Sequence, residues 1–242
     1  NLGTLFVNQG MWKESRDAFN NAKILCDKLK SREARERRVD SILAIGDVIS
    51  NTGNFNDAIK IFQDGRKEAE RIKYGKGIGV ADSLTGRCLL FTGKAEEGLE
   101  YLLSAQKKIV KLKEYKELTR ILLNIGVNYM HRGIIPMAEK YFKDLLIIAK
   151  KINHHHAICA GYGSLGTISI QQMRFKTAVN YFNKVRKIAE KIGDKRSLLL
   201  INLNLGNMYS NKGKFDAVAK HIKRGIYLAK EIGDTKNYNI LL

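Results

Sequence analysis

Proline is almost missing from this chain: Pro136 is the only one among 242 residues, so almost nothing in the sequence interrupts a helix for lack of an N–H. Cysteine is scarce and odd in number, at three, which rules out a complete disulfide framework. Cys88 and Cys159 fall within helical patterns and Cys26 in an alanine column, so the reading is buried reduced thiols in a reducing, cytoplasmic setting. No apolar run reaches membrane-spanning length, and no signal peptide opens the chain. Also missing are a Ser/His/Asp constellation, paired catalytic carboxylates and a Gly-rich phosphate loop, so no catalytic residue is assigned and the chain reads as a non-enzyme. His154, His155 and His156 lie three residues before Cys159, but there is no second Cys/His cluster to complete four converging ligands. No metal or cofactor is expected. Acidic residues are in deficit, 24 against 43 basic, giving a net charge of +19.

What the chain does have is glycine at a fixed phase. Gly3, Gly46, Gly86, Gly126, Gly166 and Gly206 are spaced 43, 40, 40, 40 and 40 residues apart. A period that strict is the mark of one supersecondary unit copied along a solenoid. Seven residues later a second glycine recurs at Gly10, Gly53, Gly93, Gly133 and Gly213, with Met173 the exception. Two further on stand Trp12, Phe55, Ile135, Phe175 and Phe215, with Ala95 in the third copy. Small residues follow (Ser15, Ala58, Gly98, Ala138, Ala178), then Phe19, Phe62, Leu102, Phe142, Phe182 and Ile222.

Each column has a physical reading. The first glycine lies inside an apolar-periodic helical segment, where it costs about 1 kcal/mol relative to alanine, so the expectation is a close approach of two helix backbones. The second suits a helix C-terminus closed by a left-handed residue. The apolar stripe after it marks a second helix, and Pro136 sits harmlessly at the start of one. Ile192-Gly193-Asp194 and Ile232-Gly233-Asp234 punctuate the joins, with glycine ending one helix and aspartate capping the next. Each unit is thus a pair of antiparallel helices, A then B. The spacing predicts thirteen helical segments, no strand, and B helices of about twenty residues, about 30 Å long.

This pattern resembles the tetratricopeptide repeat (TPR) family. Leu205-Gly206, Tyr209, Gly213 and Phe215 match its motif, as do Leu2-Gly3, Phe6, Gly10, Trp12, Phe19 and Ala22, while Thr85 and Ser169 depart from it. The 40-residue period resembles the long-helix variety of cell-polarity scaffolds and bacterial signalling regulators. The resemblance implies an all-α, right-handed α-α superhelix of six helix pairs plus a partial terminal helix, a single solenoid over 1–242. Its units are 1–33, 34–73, 74–113, 114–153, 154–193 and 194–233, with 234–242 starting a seventh. The chain opens two residues before a Leu-Gly and stops at Asn239-Ile240-Leu241-Leu242, half-way through a helix A, so it reads as a piece of a longer protein.

The resemblance also implies that helix A lines a concave groove and helix B the convex surface. The inward columns of helix A then hold Asp40, Asp47, Asn51, Arg87, Arg120, Asn124, His131, Ser164, Thr167, Gln171, Asn204, Asn207 and Asn211. Amides can donate and accept at once, which suits holding an extended peptide backbone. The candidate groove residues are Asp47, Arg87, Arg120, Asn124, Asn204 and Asn207, with an acidic part of the ligand expected near Arg87 and Arg120. Helix B carries most of the positive charge, much of it in last turns where it complements the helix dipole. Leu145-Leu146-Ile147-Ile148 is apolar all round and reads as an exposed contact patch. The leading function is a protein-interaction scaffold that captures a protein or peptide segment. Alternatives are a sensor or regulatory arm of a larger signalling or transcription-regulating protein, and nucleic-acid binding through the basic convex face, which the lack of interleaved aromatics disfavours.

Overall fold

The computed structural model describes residues 2, 3, 6, 11–29, 31–234 and 237–239. Most of the first helix A, including Gly10, and the end of the seventh lie outside the described residues. Among the described residues there are eleven long helices and no strand. The chain divides into two compact units, Asn1–Arg132 and Gly133–Leu242. The first contains α1 (Trp12–Asp27), α2 (Arg32–Asn51), α3 (Phe55–Arg71), α4 (Gly75–Phe91), α5 (Ala95–Lys111) and α6 (Tyr115–His131). The second contains α7 (Ile135–Lys151), α8 (His155–Gln171), α9 (Phe175–Ile192), α10 (Lys195–Ser210) and α11 (Phe215–Glu231). Odd-numbered helices are B helices and even-numbered ones are A helices. Each B helix begins on its bulky column residue, or on Ala95. The B helices have 16 to 18 residues rather than about twenty, roughly 26 Å at 1.5 Å per residue. Five of them, α3, α5, α7, α9 and α11, close early because a left-handed residue follows: Lys73, Lys113 and Asn153 at φ 53–57°, or Gly193 and Gly233.

The two glycine columns serve different ends. Gly53 has φ +90° and open space where a Cβ would stand, so it is present for its backbone conformation alone. Met173 takes the same place at φ 57° with its side chain 79 % exposed. The first-column glycines instead make room. A Cβ at Gly46 or Gly166 would come within 2.5 Å of the ring of Phe62 or Phe182. Backbone-to-backbone approach occurs in the third repeat, where a Cβ at Gly86 would meet the Gly98 carbonyl oxygen at 2.5 Å. There Gly98 replaces alanine and Leu102 replaces phenylalanine, so nothing bulky holds the two helices apart. At Gly206 the nearest atom is 3.8 Å away and the constraint is relaxed.

The caps at the joins follow the sequence. Asp194 Oδ1 accepts from Ser197 N at 2.9 Å, and Asp234 Oδ1 from Asn237 N at 3.0 Å. Burial pushes the Asp194 carboxyl up, but bonds from Ser197 and His156 outweigh it and hold the group below its ordinary range. One cluster of buried side chains in the first unit centres on Leu43, Phe62, Leu84 and Cys88. One in the second centres on Phe182, Val185, Leu199 and Leu205. The apolar run of α7 is not a patch: Leu145 and Leu146 are buried and close on Gly161, and Ile147 alone is fully outward, 67 % exposed. A B helix covers a wide arc of its own surface when it packs beneath a neighbouring A helix, which is why an all-round apolar run need not show.

Two stability outcomes follow from this packing. Phe142→Ala and Phe182→Ala, each emptying a fully buried ring site, should cost roughly 3–5 kcal/mol in denaturant melts, whereas below about 1 kcal/mol the buried face is misassigned. Met173→Gly removes left-handed strain without losing packing, so the same melts should show a gain of about 0.5–1 kcal/mol.

Candidate functional site

In the first unit, successive A helices touch: α2 packs on α4 and α4 on α6, while successive B helices are held apart. In the second unit α8 likewise touches α10. The A helices are therefore the inner layer of each unit, and their exposed side chains form its inner face. The inward columns expected from sequence lie there in the first unit. Asp40, Asp47, Val80, Leu84 and Arg120 line one cleft of about 290 Å³. Lys76 and Glu117 line it as well and were not among the sequence candidates. They stand nearly a helical turn before the first inward column, a position that helix A reaches because it begins at Gly75 and Tyr115.

Charge in this cleft is largely spent internally. Arg87, on α4, donates to the Asp47 carboxylate of α2 and to Ser50 Oγ, the latter at 2.7 Å. Burial disfavours the Arg87 cation, yet Asp47 beside it more than compensates and strengthens its hold on the proton. Lys76 Nζ meets Glu114 at 3.3 Å. Asp40 accepts from the Tyr74 hydroxyl at 3.2 Å, and the phenol's own ionisation is pushed up by burial and by that carboxylate. The Asp40 carboxyl is raised above its ordinary range, by desolvation first and by Glu117 and Glu36 nearby, although the residue as a whole is exposed. Arg120 differs. Its Nη2 lies 2.8 Å from Glu117, while its Nε is buried and without a hydrogen-bond partner.

Asn124 donates to Ser83 Oγ at 3.3 Å, across to the preceding A helix. Asn204 and Asn207 are on α10 in the second unit, half-buried and exposed respectively, and neither side chain is hydrogen-bonded among the described residues. Asp47, Arg87, Arg120 and Asn124 thus belong to the inner face of one unit, and Asn204 and Asn207 to that of the other. The histidine tract is dispersed: His156 Nδ1 pairs with Asp194 at 2.8 Å, and Cys159 is buried with its Sγ toward the Val185 carbonyl. No group of three metal-binding side chains occurs among the described residues, and no described helix is long and apolar enough to cross a membrane.

No family model and no curated protein sequence matches the chain. Solved structures do. A Rap protein complexed with Competence and Sporulation Factor superposes with TM-score 0.78 at 15% identity, over 99% of this chain and 70% of that one. The Rap conjugation gene regulator of the plasmid pLS20, in complex with the Phr* peptide, gives 0.75 at 17%, over 97% and 62%. BtubC (BKLC) from P. vanneervenii gives 0.69 at 15%, over 92% of each chain. The chain has the fold of a TPR-type helical repeat protein.

The Asp47–Arg87 pair joins two repeats, and its two groups are mutually dependent. Asp47→Asn and Arg87→Gln should each destabilise the chain. The double variant should fall short of their sum by about 1–3 kcal/mol in a double-mutant cycle by urea melts. Strict additivity would show that the pair is not formed.

Proposed function

We propose that the chain is a protein-interaction module that captures a peptide or extended protein segment on its inner face, and that it is not an enzyme. The observation that carries this reading is the set of inner-face donors left unspent. Arg120 lines a cleft with its Nε unpartnered although its Nη2 meets Glu117, and half-buried Asn204 and exposed Asn207 carry no side-chain hydrogen bond among the described residues. A peptide backbone offers carbonyl oxygens to such groups, and a carboxylate would add a charge-assisted bond to Arg120. The two Rap structures of the same fold hold a named factor and a named peptide, which supports the same use here. A second reading, a sensor or regulatory arm of a larger protein, is supported by those Rap chains extending beyond the part this chain covers. A cytoplasmic setting goes with either and is supported by the buried, unpaired thiols of Cys88 and Cys159.

Of the two arginines, Arg120 is the better ligand contact, because Arg87 already serves Asp47 and Ser50. With a partner obtained by pull-down, Arg120→Ala should weaken binding by about 1.5–3 kcal/mol, roughly ten- to hundredfold, with the helical circular dichroism unchanged. Lys107→Ala, exposed on α5 of the same unit, should leave affinity unchanged. Equal losses at both positions would place the partner outside the inner face.

A further inference from the structure

Helix A also has an outward column, four residues before its first glycine, which floors a groove between two successive B helices. Three occupants of that column can be compared within single units. Asp82 on α4 is 1 % exposed, and its carboxylate sits between Arg66 Nε of α3 at 2.7 Å and Lys108 Nζ of α5 at 2.8 Å. Tyr162 on α8 stacks on Tyr181, with Lys150 Nζ of α7 and Lys184 Nζ of α9 at 5.3 and 5.0 Å from its ring centre. In both grooves the cations that line the walls are answered by the residue on the floor.

In the third groove the floor gives no such answer, although Arg224 lies over the Tyr227 ring at 5.1 Å and Arg186 Nη1 donates to Asn183 Oδ1 at 3.3 Å. The groove is a cavity of about 700 Å³ floored by Asn202 of α10, with Arg186 of α9 on one wall and Lys220, Lys223 and Arg224 of α11 on the other. None of these four cations is in an ion pair among the described residues, and Glu190, the one acid lining the groove, pairs with none of them. Asn202 is 8 % exposed and fixed in place: its Nδ2 donates to the Leu198 carbonyl at 2.7 Å and its Oδ1 accepts from His221 Nδ1 at 2.9 Å. The His221 ring lies flat on Tyr209. Burial, together with the nearby charges of Arg186 and Lys220, disfavours its protonation. The rest of the lining is Val179, Leu205 and Tyr227, apolar or aromatic, and the polar Asn183.

We propose that this outer groove of the second unit binds an acidic peptide segment of a partner protein. Its carboxylate would sit between Arg186 and the cations of α11, as the Asp82 carboxylate sits between Arg66 and Lys108. The site is separate from the inner face. The apolar lining favours a peptide with aliphatic side chains beside its acids, and Glu190 in the wall opposes a continuous phosphodiester chain.

The groove carries its own control. Asn202→Asp is isosteric and supplies the missing internal carboxylate, so it should fill the site from within. The probe is a fluorescein-labelled Glu-Leu-Glu-Leu-Glu peptide followed by anisotropy near physiological salt, with its Gln-Leu-Gln-Leu-Gln counterpart as reference. The unaltered chain should bind the acidic peptide about tenfold or more tightly than the amide version. Both N202D and the surface double variant Arg186→Gln/Arg224→Gln should lose about tenfold or more in affinity, with the helical circular dichroism unchanged. Undiminished binding to N202D and to the double variant overturns the proposal, as does loss of binding in Arg120→Ala instead. Displacement of the peptide by a short oligothymidylate that itself binds more tightly would make this a nucleic-acid surface and likewise defeat the proposal.

Discussion

In the first, second and fifth repeats the distance between helix A and helix B is set by one contact, the phenylalanine ring of helix B against the first glycine of helix A. At Gly46 and Gly166 the ring occupies the space of a Cβ, so any larger residue would push the pair apart. The glycine's cost to helix propensity is offset by an aromatic ring fully removed from water, worth about 1.5–3 kcal/mol. The A helices meet in an inner layer, and the B helices are kept apart over outer grooves. The third repeat shows how the contact can vary: Gly86 against Gly98 lets backbones meet, and Leu102 suffices where a ring would not fit.

Those outer grooves pose an electrostatic problem that each repeat handles differently. Lysine and arginine late in helix B favour the helix, because they face its negative end. Two such helices side by side bring like charges together over a shared floor. Asp82 resolves this with a carboxylate held by two cations, and Tyr162 with the face of its ring. A buried carboxylate is stable only while both partners remain, so the Asp82 arrangement also ties α3, α4 and α5 into one block.

Much of this was legible in the sequence, and the limits have physical causes. Helix starts at Phe55, Phe175 and Phe215, left-handed Gly53, and the caps at Asp194 and Asp234 all follow from local chemistry repeated at one phase. Lys73, Lys113 and Asn153 close helices in a glycine-like conformation without being glycine, and no local signal marks them. The exposure expected for Leu145 and Leu146 failed because burial depends on how many neighbours a helix has, which a single helical wheel does not contain. The inner-face assignment of Asp40, Asp47 and Arg120 came from phase, while Lys76 and Glu117 escaped because the phase was not extended back to the helix start.

The fate of the inner-face charges was the least legible of all, since it depends on pairs about one repeat apart. Arg87 meets Asp47 across 40 residues, Asn124 meets Ser83 across 41, and Arg132 meets Glu96 across 36. Within the first unit such bonds run along the stack and fasten one repeat to the next. The exposed ones contribute little, about 0–1 kcal/mol, but the half-buried Asp47–Arg87 pair fixes register at the place where a ligand would otherwise find a cation. Stability and recognition therefore compete for the same side chains. In the proposed function an inner face would hold an extended segment only with the groups its own stacking leaves over; in the first unit Arg120 Nε is buried and unanswered, while its Nη2 meets Glu117.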